Sequence, residues 1–429
     1  MIVERVEEIL ESRNVFLTGG GGVGKSYLTK ELVKRAKKKQ KGVVVLGSTG
    51  VSAVNVEGQT IHSFFAFGIS NTLEELQRHD RYVKKRIGEL KKILSKCDLL
   101  VIDEISMVSA SLLEMIHYRL RNSGFDGSLL FVGDFFQLPP VIKRDNSSLF
   151  GENEYAFESS SWKFFNPLIV ELTKTKRTDD KEFFEILNLL RWAETDKKLI
   201  NYLFGLKENR VSNNSTVLYG TNKEAQRMNL IKLQELKSEP VVLKANEKEH
   251  VKSLHVKRIE NWKNSLPIPC DLTLKIGAKV LFCTNKWGKY YNGERGVVRE
   301  IMDDYLIVEK ENSLVKVERQ EYTMSESVAV NGELEDRPLY SIEQFPLKLA
   351  YAITIHKSQG MSIDELICDI DNIFEKSQFY VALSRAKNPK NLAISFTRGD
   401  FDRYLKNIIR VSPKVRDFYQ NSETLKIEE

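Results

Sequence analysis

Apolar residues run along this chain in two rhythms. Short unbroken runs, Val15-Phe16-Leu17-Thr18, Val43-Val44-Val45-Leu46, Leu99-Leu100-Val101-Ile102 and Leu129-Leu130-Phe131-Val132, have strand length and lack the alternation of a half-exposed sheet. Such runs predict buried parallel strands. Between them apolar residues recur at helical spacing, from Glu4 to Leu10 and again at Leu28, Leu32 and Ala36. The second of these helices ends in a Lys/Arg-rich turn, as suits the negative end of a helix dipole. Strands alternating with helices need right-handed crossovers, which makes the expected fold α/β with a doubly wound parallel sheet.

The pattern restarts after about residue 176, with strand-like runs at Thr216–Tyr219, Leu366–Cys368 and Leu392–Phe396. Between them the texture changes. Leu272–Phe282 and Gly296–Val317 are β-rich and broken by Asn292-Gly293, Asp303-Asp304 and Asn331-Gly332, which is turn chemistry. The expected organisation is a first domain over 1–175, a second over 176–240 and 340–429, and a β-barrel-like insertion over 241–339. Tyr82–Cys97 reads as a basic amphipathic helix within the first domain, either a solvated face or a nucleic-acid contact.

Composition narrows the class. At 429 residues the chain exceeds one compact core, and 41% apolar with 29% charged residues excludes a disordered chain. No apolar run reaches the ~18 residues that span a bilayer, so no membrane partner is expected. Met1-Ile2-Val3-Glu4-Arg5 lacks the pattern of a secretory signal. Cys97, Cys270, Cys283 and Cys368 are scattered without C-x-x-C spacing, so reduced thiols in a cytoplasmic setting are expected and no structural zinc. The net charge of +6 permits a polyanion partner without demanding one.

The chemistry begins at Gly19-Gly20-Gly21-Gly22-Val23-Gly24-Lys25-Ser26, a G-x-x-x-x-G-K-[ST] loop between a strand and a helix. Residues lacking Cβ let successive N–H groups curve round phosphate oxygens. Gly21, Gly22, Val23, Gly24, Lys25 and Ser26 are therefore the expected ATP-binding loop, with Lys25 toward the β- and γ-phosphates and Ser26 on Mg²⁺. Leu99-Leu100-Val101-Ile102 ends in Asp103 and Glu104. Asp103 would hold the Mg²⁺ and Glu104 would take a proton from the attacking water.

Further segments narrow the NTPase. Gly133-Asp134-Phe135-Phe136-Gln137-Leu138-Pro139-Pro140 follows the third run and places Gln137 for the γ-phosphate. Gly47-Ser48-Thr49-Gly50 and Thr60-Ile61-His62-Ser63-Phe64-Phe65 combine hydroxyls with aromatics, suited to the phosphates and base faces of a single strand. Phe64 and Phe65 read equally as core. Thr354-Ile355-His356-Lys357-Ser358-Gln359-Gly360 repeats that chemistry, and Gln378–Ala386 carries Arg385 on an expected helix.

Together "GDFFQLPPV", "TIHSFF", "TIHKSQG" and "YVALSRA" resemble the motifs of superfamily 1 helicases, most closely the PIF-type (petite-integration-frequency) 5′-to-3′ DNA helicases, relatives of the RecD subunit. The resemblance runs from about Val15 to Phe396. It implies two RecA-like domains with ATP between them and single-stranded DNA across their top, and an SH3-like character for the insertion. It implies that Arg177 and Arg385 reach the γ-phosphate, that Gly360 joins the ATP site, and that residues 66–80 include a small wedge. For the strand it implies Thr49, His62, Phe64, Pro139, Thr221, Asn222, His356, Lys357 and Ser358. Duplex or forked DNA, a monomeric chain and a nucleoid-associated role complete the expectation.

Three departures stand out. Met1–Arg13 holds no glutamine to read adenine, Arg177 is followed by Thr178 rather than glutamine, and Ser111–Gly127 matches the eukaryotic signature loosely. They favour a compact bacterial or phage-like member. An RNA-directed motor of the same superfamily and a P-loop ATPase remodelling a protein partner are the rival readings.

Overall fold

The computed structural model describes residues 2–428 except 50–51, 54–55, 57, 69, 141–153, 213–214, 252–253, 287, 311–312 and 331–332, with no side-chain description for 326–330 and 333–336. Gly50, Ile69, Val141 and the Asn331-Gly332 turn thus lie outside the described residues. Two compact units emerge: Met1–Lys176 with Ser325–Pro338 and Ser412–Glu429, and Arg177–Met324 with Leu339–Val411.

The first unit is built on a seven-stranded sheet. Its strands are β1 (Val15–Thr18), β2 (Val43–Gly47), β3 (Gln59–Thr60), β4 (Leu99–Asp103), β5 (Ser128–Val132), β6 (Leu168–Leu172) and a terminal strand, Thr424–Ile427. Their spatial order is terminal-β6-β1-β5-β4-β2-β3, and every pairing is parallel. All four residues of β1 and all five of β4 are buried, as both faces of a helix-covered sheet require. Helix α1 (Ile2–Leu10) and helix α2 (Lys25–Lys38) flank β1 in sequence. The end of α2 is held to α1 by Lys39–Glu7 at 2.8 Å and Arg35–Glu4 at 3.1 Å.

The second unit has a four-stranded parallel sheet in the order Ala352–Thr354, Thr216–Tyr219, Leu366–Asp369, Leu392–Ser395. Inserted in its chain is a five-stranded antiparallel sheet, ordered Ser313–Glu318, Tyr305–Lys310, Arg295–Ile301, Lys279–Phe282, Leu347–Leu349. Alternate residues of these strands, among them Val280, Phe282, Val298, Leu306, Val308 and Val317, close one apolar core. The α/β architecture with a β-rich insertion agrees with the sequence expectation.

Two segments group differently from the expectation, and one is Ser325–Pro338, expected in the insertion and found with the first unit. Residues 412–429, expected in the second domain, belong to the first unit, where Thr424–Ile427 pairs in register with Ile169–Leu172 of β6. A helix, Pro413–Asn421, precedes that strand and carries Tyr419 into the sheet's core. The Tyr419 hydroxyl lies 2.7 Å from Thr18 Oγ1 and accepts the Phe135 N–H at 3.3 Å. Helix Pro413–Asn421 thereby ties the residue before the glycine loop to the loop after β5.

Replacing Tyr419 by Phe should therefore cost about 1–3 kcal/mol, because buried polar partners lose their hydroxyl. A lower urea midpoint is the expected result, and an unchanged midpoint would show that water or repacking replaces it.

Candidate nucleotide and strand sites

In the first unit the site forms where parallel strands end together. Gly19 leaves β1 at φ 134°, and a Cβ there would stand 2.4 Å from the Leu172 carbonyl oxygen, so only glycine fits. Gly24 (φ 95°) caps α2 with no side chain of its own, which keeps the helix N-terminus open to an anion. Lys176 N–H bonds Gly22 O at 2.8 Å, and buried Val23 pins the loop's middle. Lys25 Nζ reaches Gly19 O at 2.6 Å and Gly20 O at 3.1 Å, curling over the loop that precedes it. Ser26 follows in the first turn of α2.

Asp103 ends β4 and is 8% exposed. Burial first, and the Glu104 charge second, push its carboxyl up to about 7, while Lys25 and Lys30 pull the other way. That opposing pull places Lys25 and Asp103 in one electrostatic site. Glu104 sits in the left-handed region (φ 53°, ψ 49°), a conformation costing about 1–3 kcal/mol in a non-glycine residue. Such strain is kept where geometry serves chemistry. At the end of β5, between β1 and β4, Gly133 N–H bonds Leu17 O at 3.1 Å, and Gln137, 5% exposed, donates its N–H to the carbonyl of fully buried Asp134 at 2.8 Å.

The turn that follows β2 shares this edge. Gly47 ends β2 opposite Asp103, and Ser48 N–H bonds the Asp103 carbonyl at 3.3 Å. Thr49 and Ser52 exchange backbone and hydroxyl hydrogen bonds of 3.0–3.1 Å, which fixes the turn. Thr60 caps the short helix Ile61–Phe64, on which His62 is exposed and edge-on to Phe67 at 5.9 Å. Phe64 is a correction: it is fully buried, edge-on to Phe65 at 5.0 Å, and no ring face is left for a base. Pro139 is likewise buried, so it shapes its loop and offers no strand contact.

In the second unit Arg385, 2% exposed, leaves helix Gln378–Leu383 and is held on three sides. Its Nε donates to Val381 O at 3.0 Å, Nη2 to Ser384 Oγ at 2.8 Å and Nη1 to Ser358 O at 3.4 Å. Arg177 Nη1 donates to Ser384 O, and desolvation followed by the Arg385 charge lowers its pKa below the usual arginine value. The structure thus brings the two arginines together. Like charges confined this way favour an anion beside them.

The turn His356–Ser358 follows strand Ala352–Thr354, and Lys357 N–H bonds Thr354 Oγ1 at 3.3 Å. His356 is half-buried and its pKa is lowered by desolvation, while Lys357 and Gly360 are exposed. Ser358 is a second correction: its hydroxyl donates to Ile355 O at 2.7 Å and the residue is fully buried, so its carbonyl positions Arg385 and its side chain meets no strand. Half-buried Thr221 caps the next helix: its hydroxyl accepts the Glu224 N–H at 3.4 Å and donates to Glu224 Oε2 at 2.7 Å, with exposed Asn222 beside it. Tyr419 carries no local sequence signal, since a lone aromatic says nothing of the loop it supports.

The PIF1-like helicase model matches residues 1–195. The "ATP-dependent DNA helicase Pif1" of Campylobacter jejuni is 42% identical over 440 residues, covering 99% of this chain and 98% of that protein. The chain belongs to the PIF1-like helicase family. Among solved PIF1-like structures, the Bacteroides sp Pif1 complex with ADP-AlF4 matches with a TM-score of 0.83 at 29% identity, covering 97% of this chain and 95% of that one. The Bacteroides Pif1 bound to ssDNA matches with a TM-score of 0.66 at 29% identity, over 97% and 95%. Among the described residues of this family member, no helix is long and apolar enough to cross a membrane.

Burial of Asp103 has a measurable sign. Its native pKa lies above the unfolded value of about 4, so the native state holds an extra proton between about pH 4 and pH 7. Its contribution to stability falls as pH rises through that window. The unfolding free energy of the parent minus that of Asp103→Asn should therefore decrease from about pH 4.5 to pH 7. A flat difference would place the carboxylate in contact with water.

Proposed function

We propose that this chain is an ATP-dependent DNA helicase that moves 5′ to 3′ on single-stranded DNA and separates duplexes. The observation that carries the reading is the shared sheet edge of a PIF1-like chain, where the Gly19–Ser26 loop and Asp103 leave β1 and β4, both paired with β5, and the Ser48 N–H bonds the Asp103 carbonyl. The names of the relatives, an ATP-dependent DNA helicase and Pif1 structures with ADP-AlF4 and with ssDNA, agree with it.

The loop from Gly21 to Gly24 binds phosphates through backbone N–H groups, and Lys25 neutralises the β- and γ-phosphates. Ser26 and Asp103 would hold Mg²⁺, and the fit is chemical: both offer oxygen donors, and a divalent cation would stabilise the carboxylate that burial disfavours. When bound, the ion neutralises charge on the phosphates. Glu104 accepts a proton from the attacking water and Gln137 orients that water at the γ-phosphate. Arg177 and Arg385 add positive charge as the γ-phosphoryl separates, and Gly360 lets backbone approach the nucleotide. Thr49 and His62 from one unit, with Asn222, His356 and Lys357 from the other, contact the strand. Two grips on separate bodies, tightened and released in turn, give directed movement.

Lys25→Ala should lower ATP hydrolysis at least about a hundredfold with the fold intact by circular dichroism. Turnover near the parent rate would remove the site. Glu104→Gln should retain nucleotide affinity and lose about 100-fold or more in hydrolysis rate, since a general base contributes on that scale; a normal rate would move the base elsewhere. His356→Ala should reduce the DNA-stimulated rate more than the basal one, whereas equal loss in both would assign it to folding.

A further inference from the structure

Helix Lys84–Leu94 of the first unit runs against the rules for a stable helix along its exposed side. Leu90, Ile93 and Leu94 are buried, and the outward face presents Lys84, Lys85, Gly88, Lys91 and Lys92. Gly88 is mid-helix on the surface, and a Cβ there would meet nothing within 4 Å. Packing therefore does not demand a glycine, although it destabilises a helix interior relative to any ordinary residue. Lys84 and Lys85 occupy the first turn, where the helix dipole opposes positive charge. Among the described residues, Arg81, Lys84, Lys85, Lys91 and Lys92 have no carboxylate partner; Glu89, the helix's one acid, is 3.5 Å from Arg86.

The tip of this helix is anchored. In the preceding turn Tyr82 is 87% exposed, with its N–H bonded to His79 O at 2.9 Å. Just before it, Asp80 receives Arg119 through two hydrogen bonds of 2.6 and 2.7 Å. The same guanidinium, on a residue 3% exposed, donates Nε to Phe65 O at 3.0 Å. The basic helix is thereby fastened to the turn that follows His62.

We propose that Lys84, Lys85, Lys91 and Lys92 form a ridge that holds the duplex arm of a DNA substrate by its phosphates, with Tyr82 stacking at the junction. This rests on the reading of the chain as a DNA helicase. Pairs of lysines seven residues apart stand about 10 Å apart on one face, with bare helix backbone between them. A polyanion carrying one charge per ~1.7 Å can engage both pairs. Single-strand paths need base-sized faces along their length, and this ridge has none; its one exposed ring is at its end. A duplex, whose bases are hidden behind phosphates, is the complementary partner.

The test is binding of a 5′-tailed duplex and of the tail alone to the parent and to Lys84→Gln/Lys85→Gln/Lys91→Gln/Lys92→Gln, over a KCl series. Each lost phosphate contact lowers the salt slope by about 0.9. The variant should bind the tailed duplex at least tenfold more weakly with a slope shallower by about 2–4, bind the tail within twofold, and keep its ATPase on saturating single strand. Tyr82→Ala should weaken the tailed duplex and leave the tail unaffected. Unchanged duplex binding, or equal loss on duplex and tail, overturns the ridge. A parent protein that binds neither DNA overturns the helicase reading on which the ridge depends.

Discussion

A parallel sheet brings every strand out at the same edge, and this chain's chemistry depends on that constraint. β1 delivers the glycine loop, β4 delivers Asp103 and β2 delivers Gly47 to one rim of the first unit. Hydrogen bonding between neighbouring strands fixes their spacing, so no long-range steering is needed to collect the groups. The link that matters most is the Ser48 N–H on the Asp103 carbonyl, at 3.3 Å. A charge change at the carboxylate is one peptide group away from the turn assigned to the strand.

The second unit repeats the device with different parts. Ser358 ends the His356 turn, and its carbonyl accepts from Arg385, whose neighbour Ser384 accepts from Arg177. The arginine pair and the His356 turn are again one backbone group apart. In both units the connecting element is main chain.

Much of this was legible in the sequence because buried parallel strands are written as unbroken apolar runs: Val15–Thr18 and Thr216–Tyr219 form strands with those same limits. The glycine loop was legible because its backbone leaves little choice of residue at Gly19. The terminal strand Thr-Leu-Lys-Ile was not, since four alternating residues say nothing about which sheet edge will receive them. Phe64 failed for a related reason: composition cannot say which of two adjacent rings faces outward, and here both face in. Ser358 looks like a strand ligand by type, yet its hydroxyl closes a local turn and is fully buried.

If main-chain links join nucleotide and strand sites, the two affinities must be coupled, and equally in both directions. The direct measurement is the Kd of a short single-stranded DNA with no nucleotide, with ADP and with a non-hydrolysable ATP analogue, paired with the nucleotide Kd values with and without that DNA. The expected result is a change of about fivefold or more between nucleotide states, matched by the reciprocal change in nucleotide affinity. One DNA affinity, identical in every nucleotide state, would contradict it.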